Sequence, residues 1–442
     1  MDTDDAVMFK QPDARIQSRR SNTGRRRSTE ETLVLVIGLA LGVPAHVNAQ
    51  VDQARAEQYF REAAALCERE GGRLWGVSLC GPMVIADPET QTVAANRPLP
   101  ADKRPAVLGF ANAALNWGGE RWSTFVWQRM PQDERQRGVL MLHELFHRVQ
   151  PALGFLLPEP NNSHLDTVEG RYWLQLEWRA LAKALASSGA DRTGAVADAL
   201  AFRAARRKLF PEAAHNERIL EINEGLAQYT GTVAAVAQAE AAVLAGEQLT
   251  RAAAQETFIR TFAYPSGAAY GVLLDGWSPG WTRKLVPTDD LGNLLKAAAQ
   301  VGDLVAPDAA AERYGGAELR EAERKREQQR AALITDLTRR FVQGPMLVIP
   351  RARNASFVTS GMVPLAGAGT IYPSYRATTD WGALVAERVL MAADQSTIAV
   401  PAPASIAGAE LAGDGWTLKL APGWVVRPGQ RPGDFVVVRD QR

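Results

Sequence analysis

Apolar and polar positions alternate with two different periods along the chain, and the periods divide it into a helical part and a β-prone part. Apolar residues at helical spacing predict helices over 52–69, near 107–116, and over 168–186, 194–209, 217–246, 272–300 and 317–342. Short β-prone runs predict strands at 74–79, 82–86, 91–95 and 121–128. The region 50–343 is therefore predicted to hold a small N-terminal sheet followed by mostly helical structure.

The character of the chain changes after Gly344 and Pro345. From Met346 onward, short β-prone runs are separated by glycine, proline and asparagine, which predicts an all-β domain over 344–442, an antiparallel sandwich or small barrel. No metal, phosphate or nucleophile motif occurs in this part of the sequence. The predicted fold class is α+β. A packing role is expected for the β domain, with substrate or wall-polymer binding as the alternative.

Residues 1–49 have the parts of a secretory signal peptide. Arg25–Arg27 form a basic segment, Thr32–Val43 an apolar run too short to span a bilayer as a helix, and Val47–Ala49 a small-residue cleavage site. Cleavage near Ala49 predicts a secreted or periplasmic protein with no stable membrane span. An uncleaved membrane anchor is the alternative interpretation.

Composition and charge narrow the classes of partner. The chain of 442 residues is 46% hydrophobic and 22% charged, which is ordinary for a globular protein, and its formal net charge is only +1. A nucleic-acid-binding protein usually needs a strongly basic surface, so nucleic acid is not expected as a partner. The oligomeric state is not predicted by any pattern in the sequence.

The chain contains only two cysteines, Cys67 and Cys80. Export to an oxidising compartment makes one disulfide between them the expected state, and it would join the first helix to the first strand. Two buried free thiols are the alternative. Neither cysteine has the spacing of a zinc ligand.

The most informative motif is the H-E-x-x-H sequence formed by His143, Glu144 and His147 inside an apolar, helix-compatible run. On a helix the two histidines are one turn apart, so both imidazoles reach one face and can bind a single Zn²⁺ at ~2.0–2.1 Å. Glu144 is then placed to accept a proton from a metal-bound water. A solvated helix whose histidines pair locally is the alternative, but the run is too apolar for it.

A catalytic zinc site needs a third protein ligand and leaves a fourth position for water. Glu224 supplies a carboxylate in the sequence N-E-G-L-A-Q-Y, residues 223–229. Glu177 is the rival, because it lies on the apolar side of the helix 168–186, where a lone carboxylate must be paired or metal-bound. Whichever of the two is not the ligand is a candidate for holding the free N–H of a ligand histidine.

The combination of H-E-L-F-H and N-E-G-L-A-Q-Y resembles the gluzincins, the thermolysin-like and aminopeptidase-N-like zinc peptidases. The resemblance implies a zincin-like fold with one zinc per chain, His143, His147 and Glu224 as its ligands, and Glu144 as the general base. It also implies that 150–216 is a helical insertion, because the interval between the two motifs is longer than in those families. The G-x-M-E-N stretch that binds a free amino terminus is absent, so an aminopeptidase is not implied.

The sequence Y-P-S-G-A at 264–268 is similar to the Y-x-x-G-A stretch of the aminopeptidase-N group, in which the tyrosine hydroxyl stabilises the oxyanion. The resemblance therefore makes Tyr264 the candidate for this role, with Tyr270 and Tyr229 as alternatives. His164 is expected to be a loop histidine, with an oxyanion donor as the alternative. His215 has no motif partner and is also expected to be a loop histidine.

The function predicted from these features is that of an exported zinc metallopeptidase acting on a peptide or protein substrate. A non-catalytic binding or scaffold protein and a hydrolase of a non-peptide bond are the alternatives. The intact Glu144 argues against the scaffold, because a purely structural zinc has no use for a base. The strand at 121–128 precedes the motif helix, and it is expected either to pair with substrate along the cleft or to be an ordinary sheet strand.

Overall fold

The structure is a computed structural model that describes residues 50–440 except 89, 106, 107, 110, 156, 353, 354 and 358–360. The predicted signal peptide at 1–49 lies outside the described residues. Helices make up 48% of the structure and sheets make up 20%, with a sheet region at the C-terminal end. The predicted α+β class is therefore confirmed. None of the helices in the described part is long and apolar enough to cross a membrane.

Most of the helices follow the sequence prediction, but the predicted helix 272–300 is wrong, because residues 278–290 are not α-helical and separate two helices. Their bounds are α1 Gln53–Glu70, α2 Glu134–Val149, α3 Val168–Ala186, α4 Gly189–Leu209, α5 Ala213–Leu220, α6 Leu226–Ala235, α7 Gln238–Ala252, α8 Ala263–Trp277, α9 Leu291–Ala298, α10 Pro307–Ala311 and α11 Gly316–Thr338. A π-helical turn over Glu221–Gly225 joins α5 to α6 without a break. The predicted helix 217–246 thus corresponds to the end of α5, the π turn, α6 and the first part of α7, with a break at residues 236 and 237.

The strands form two sheets. Their bounds are β1 Met83–Ala86, β2 Val93–Ala95, β3 Ala113–Trp117, β4 Glu120–Val126, β5 Met346–Pro350, β6 Ala355–Ser356, β7 Val363–Leu365, β8 Gly369–Thr379, β9 Gly382–Ala392, β10 Thr397–Pro401, β11 Glu410–Gly413, β12 Trp416–Leu420, β13 Trp424–Pro428 and β14 Phe435–Arg439. The first four make one sheet, and the other ten make the second.

The chain divides into two compact units. The first comprises the described residues up to 155, with Thr230–Ala237 and Thr282–Lys284. It contains α1, α2 and the four-stranded sheet, whose strand order is β2-β1-β4-β3. β1 pairs with β4 in parallel, and the other two pairings are antiparallel.

The strand expected to edge a cleft is a central strand of this sheet. β4 is hydrogen-bonded to β1 on one side and to β3 on the other. Both ladder edges of β4 are therefore occupied, and the expectation that it pairs with substrate backbone is wrong. The alternative, an ordinary sheet strand, is confirmed.

Two local predictions in this unit are also wrong. The residues Ala113–Trp117 form β3 rather than the end of a helix, because Gly118 and Gly119, at φ +60° and +77°, close a two-residue hairpin onto β4. The segment 74–79 forms turns rather than a strand, with Gly76 at φ +77°. Its apolar residue Trp75 is buried as a single side chain against aromatic rings of the first unit.

The predicted disulfide between Cys67 and Cys80 is confirmed, with the two Cα atoms 5.3 Å apart. It joins α1 to the turn segment that replaces the predicted first strand. The cross-link closes a short loop, which limits the conformations of this part of the unfolded chain.

The second unit comprises the described residues of Leu157–Tyr229, Gln238–Trp281 and Leu285–Arg442. α3 and α4 follow each other through Ser187 and Ser188 and pack together. The ten-stranded sheet runs in the order β11-β12-β9-β10-β5-β14-β13, and β8 pairs with β6, β7 and β9. Its strands are antiparallel except for the β5–β14 pair. The boundary near 344 stays a prediction.

Candidate metal centre

The histidine motif lies on the buried face of α2. The helix begins after Asp133, whose carboxylate accepts a hydrogen bond from the Gln136 N–H. His143, Glu144 and His147 are each at most 3% exposed. Ser123 of β4 donates a hydrogen bond from Oγ to the main-chain oxygen of Glu144 at 2.9 Å, which ties the motif to the sheet. Two imidazoles and a carboxylate are thereby held together in a buried position.

The two imidazoles face each other through the same ring atom. His143 Nε2 and His147 Nε2 are 3.0 Å apart. Two ligand atoms of one tetrahedral zinc, each at ~2.0–2.1 Å from the ion, lie roughly 3.3 Å from each other. The spacing of the two nitrogens therefore suits a shared metal ion with little movement of either ring.

Gln150 sets the orientation of the second imidazole, although no motif in the sequence predicts a role for it. Its Oε1 lies 2.6 Å from His147 Nδ1, and the Gln150 side chain is fully buried. An amide oxygen can only accept a hydrogen bond, so Nδ1 carries the proton and Nε2 keeps its lone pair. That tautomer is the one a metal ligand needs. The signal in the sequence is the spacing of three residues on one helix.

Glu224 lies in the π-helical turn Glu221–Gly225 and is fully buried. A π turn adds one residue to a helical turn and changes the direction in which the side chains around it point, and such turns are frequent at functional sites. The turn continues directly into α6. On α6, a Cβ at Gly231 would lie 2.4 Å from the Val139 oxygen, so only glycine allows this close approach to the backbone of α2.

The glycines of the two sequence motifs meet at one helix crossing. A Cβ at Gly267 of α8 would lie 2.2 Å from the Cα of Gly225, and a Cβ at Gly271 would lie 2.2 Å from the ring of Tyr229. Gly267 and Gly271 are four residues apart on α8, and their partners Gly225 and Tyr229 are four residues apart on the helical segment that contains Glu224. One face of α8 therefore lies against one face of that segment. The Gly in N-E-G and the Gly in Y-P-S-G-A are thus explained by packing.

This crossing brings the first turn of α8 to Glu224. Tyr264 is hydrogen-bonded to the Glu224 carboxylate and to Arg260. Burial raises the pKa of the Tyr264 hydroxyl well above its ordinary value, and the Glu224 charge adds to this while Arg260 opposes it. Arg260 Nη2 also donates to Glu224 Oε1 at 3.1 Å. Arg260 was not predicted, because it belongs to no motif.

The two alternative tyrosines have other partners. Tyr229 Oη donates to Asp275 at 2.8 Å, and Tyr270 Oη donates to Glu177 Oε1 at 2.7 Å. Of the three candidate tyrosines, Tyr264 is the one whose described hydrogen bonds include Glu224.

Glu177, the rival third ligand, is held by cations. Arg203 donates a hydrogen bond to its Oε1 at 3.2 Å, and Arg206 donates one to its Oε2 at 2.5 Å. The Tyr270 hydroxyl is a third donor, to Oε1. The carboxylate is fully buried, so it is paired, as its apolar position requires. Among the described contacts of Glu177 none is to a histidine, so the expectation that it holds a ligand histidine's N–H is wrong.

Of the two further histidines in the described part of the chain, His164 contacts the charged cluster around Arg206 and His215 lies at the surface. His164 Nε2 lies 2.9 Å from Glu217 Oε1, and Arg206 donates to the same carboxylate at 2.6 Å. His164 lies in the 3₁₀ turn Ser163–Asp166, and its described polar contact is the buried Glu217 carboxylate rather than one of the proposed metal ligands. His215 lies on α5 rather than in a loop, so that expectation is wrong; it is exposed, 3.5 Å from Arg218.

His143, His147 and Glu224 form the one group of potential metal ligands found among the described residues. All three are buried, and one ligand atom from each lies within 4.8 Å of the others. Two imidazole nitrogens and one carboxylate oxygen are the donor set of many catalytic zinc sites, so the residues present fit this ion. Three protein ligands would leave the fourth position of a tetrahedral zinc ion for a non-protein ligand.

Comparison with known proteins gives no relative from which a role could be transferred. The chain matches no family model, no curated protein and no solved structure.

Proposed function

We propose that this protein is an exported zinc-dependent hydrolase of the zincin type, and that its substrates are peptides or proteins. The observation that carries the proposal is the buried group formed by His143, His147 and Glu224, with Glu144 adjacent to the first histidine in the sequence. The resemblance of the two motifs to those of the gluzincins also supports a zinc-dependent hydrolase. The disulfide supports export, because such bonds persist in oxidising compartments.

Two of the three proposed ligand residues have a described support that fits this role. Gln150 fixes the His147 tautomer that leaves Nε2 able to bind a metal. Arg260 and Tyr264 hold the Glu224 carboxylate in one orientation. When bound, zinc would supply a water activated near neutral pH and a positive charge that polarises the scissile carbonyl.

The proton transfers are assigned to Glu144. Its carboxylate accepts the proton of the attacking water and then donates a proton to the leaving amine. The oxyanion needs a hydrogen-bond donor in addition to positive charge, and the Tyr264 hydroxyl is the proposed donor. In the absence of substrate this hydroxyl is hydrogen-bonded to Glu224, so the role requires it to change partner.

The test is a comparison of Glu144→Gln with Glu134→Gln. Both residues lie on α2, but Glu134 is exposed in its first turn. Glu144→Gln is expected to keep its zinc and to lose about 10²- to 10⁴-fold in the rate of peptide-library hydrolysis, because a general base is removed. Glu134→Gln is expected to keep both its zinc and the wild-type rate of hydrolysis. Substantial hydrolysis by Glu144→Gln would overturn the assignment of the base.

A further inference from the structure

Arg260 links the fully buried Glu224 to a carboxylate that is open to solvent. Its Nη2 donates to Glu224 Oε1 at 3.1 Å, and its Nη1 forms an ion pair with Glu159. The exposed fraction of the side chain is 27% for Arg260, 46% for Glu159 and 0% for Glu224. The guanidinium therefore has one side turned to the proposed metal ligand and one side accessible from outside.

The outer partner of Arg260 is held weakly. Glu159 lies in an irregular segment before the short 3₁₀ turn Ser163–Asp166, whereas the buried Arg203 and Arg206 are paired with carboxylates that are at most 8% exposed. An ion pair exposed to this degree contributes only about 0–1 kcal/mol. Another carboxylate can therefore replace Glu159 on Arg260 at little cost.

A guanidinium is well suited to such an exchange. It offers five N–H donors in a fixed plane and binds carboxylates with two parallel hydrogen bonds. Glu224 uses one of these donors from the buried side. With a divalent cation on the ligand group, the charges of Glu144, Glu224 and Arg260 leave one positive charge, which Glu159 balances and which a substrate carboxylate would balance in its place.

We propose that Arg260 binds a carboxylate of the substrate and that Glu159 occupies this position until the substrate arrives. The inference rests on the proposed function and names its substrate class, which is peptides with a carboxylate close to the scissile bond. That carboxylate comes either from a free C-terminus or from an acidic side chain. Glu159 is accordingly a built-in competitor for the same guanidinium.

The test measures binding rather than turnover. Zinc-loaded Glu144→Gln is titrated calorimetrically with a pool of N-acetylated pentapeptides in three forms: free C-terminal acid, C-terminal amide, and amide with one internal glutamate. The acid pool is expected to bind about 10- to 100-fold more tightly than the amide pool, the range of a charged hydrogen bond. Tight binding of the third pool would identify the side chain as the source of the carboxylate.

Variants in the same background test the two residues. Arg260→Gln is expected to abolish the preference for acid, Arg260→Lys to restore part of it, and Glu159→Gln to strengthen acid binding several-fold. The matched control is the pair of Arg320 and Glu169, whose side chains are 27% and 41% exposed and which lie away from the ligand residues in sequence. Arg320→Gln and Glu169→Gln are expected to leave the preference unchanged.

The outcomes separate this inference from the proposed function, because zinc content and hydrolysis of both pools by the wild-type protein are measured alongside. Equal binding and equal hydrolysis of acid and amide pools would overturn the role of Arg260 and leave the hydrolase intact. Binding of acid that depends on Arg260, without hydrolysis by the wild type, would support the carboxylate site and overturn the hydrolase. Acid binding that survives in Arg260→Gln would also overturn the inference.

Discussion

The close contact between Gly225 and Gly267 yields a sharp prediction for the variant Gly267→Ala. The new Cβ would lie 2.2 Å from the Gly225 Cα and 2.6 Å from its oxygen. Ordinary contact begins at 3.4 Å, so α8 must move away from the Glu224 turn by about 1.2 Å. Overpacking of this kind destabilises a protein by about 1–3 kcal/mol.

The displacement acts on the proposed metal ligands as well as on stability. Gly225 is the residue after Glu224, and Tyr264 lies on the first turn of the helix that must move. A shift of about 1 Å in a catalytic group lowers turnover by about 10²-fold. We therefore expect weaker zinc binding and a loss of hydrolysis of that order, in addition to the loss of stability.

The matched control is Gly246→Ala on α7, where a Cβ has no neighbour within 4 Å. This variant is expected to be more stable than wild type by about 0.5–1 kcal/mol, because alanine suits a helix interior better than glycine. For both variants, urea unfolding measures the free energy of unfolding and competition with a chelator measures the zinc affinity. A Gly267→Ala protein as stable as Gly246→Ala, with wild-type zinc affinity, would refute the helix crossing.

Three further predictions concern buried polar groups. Gln150→Leu removes the acceptor for the ligand histidine and is expected to weaken zinc binding about 10- to 100-fold in chelator competition. Gln150→Glu keeps an acceptor and is expected to bind zinc nearly as well as wild type; equal affinities for all three proteins would contradict the assigned tautomer. Arg206→Met leaves Glu177 and Glu217 buried without this cation and is expected to cost about 3–5 kcal/mol in urea unfolding. A loss below about 1 kcal/mol would show that the cluster is not buried as described. Although burial alone would raise it, the pKa of Glu217 is held well below its ordinary value, mainly by Arg206 and also by the His164 hydrogen bond. The stability from this depressed pKa is therefore present above the unfolded value of ~4.3 and is lost as the pH falls toward the folded value. Urea unfolding at a series of pH values below ~4.3 should show this loss of stability in wild type and a smaller loss in Glu217→Gln.

The elements that the sequence predicted well are those determined by local signals. α3 spans the predicted 168–186, because an apolar helical run follows Thr167, whose hydroxyl accepts from the Gly170 N–H at the N-cap. The positions of His143 and His147 on one face likewise follow from helix geometry alone.

The failures come from interactions between distant parts of the chain. The alanine-rich residues of β3 have a helical preference, but pairing with β4 through a glycine hairpin overrides it. Arg260 belongs to no motif, and its contact with Glu224 depends on tertiary packing. Gln150 also belongs to no motif, but its contact with His147 is local, at a spacing of three residues. The sequence left Glu177 and Glu224 as alternatives, because helical periodicity carries no information on which carboxylate the arginines of α4 contact.

The proposed metal centre is tested most directly by the zinc content of the purified protein, counted per folded molecule, for wild type, Glu224→Gln and Glu177→Gln. We expect about one zinc in wild type, its loss in Glu224→Gln, and its retention in the folded fraction of Glu177→Gln, since Glu177 is bound by Arg203, Arg206 and Tyr270. Absence of zinc from wild type after reconstitution, or its loss with Glu177→Gln but not with Glu224→Gln, would show that His143, His147 and Glu224 are not a zinc site.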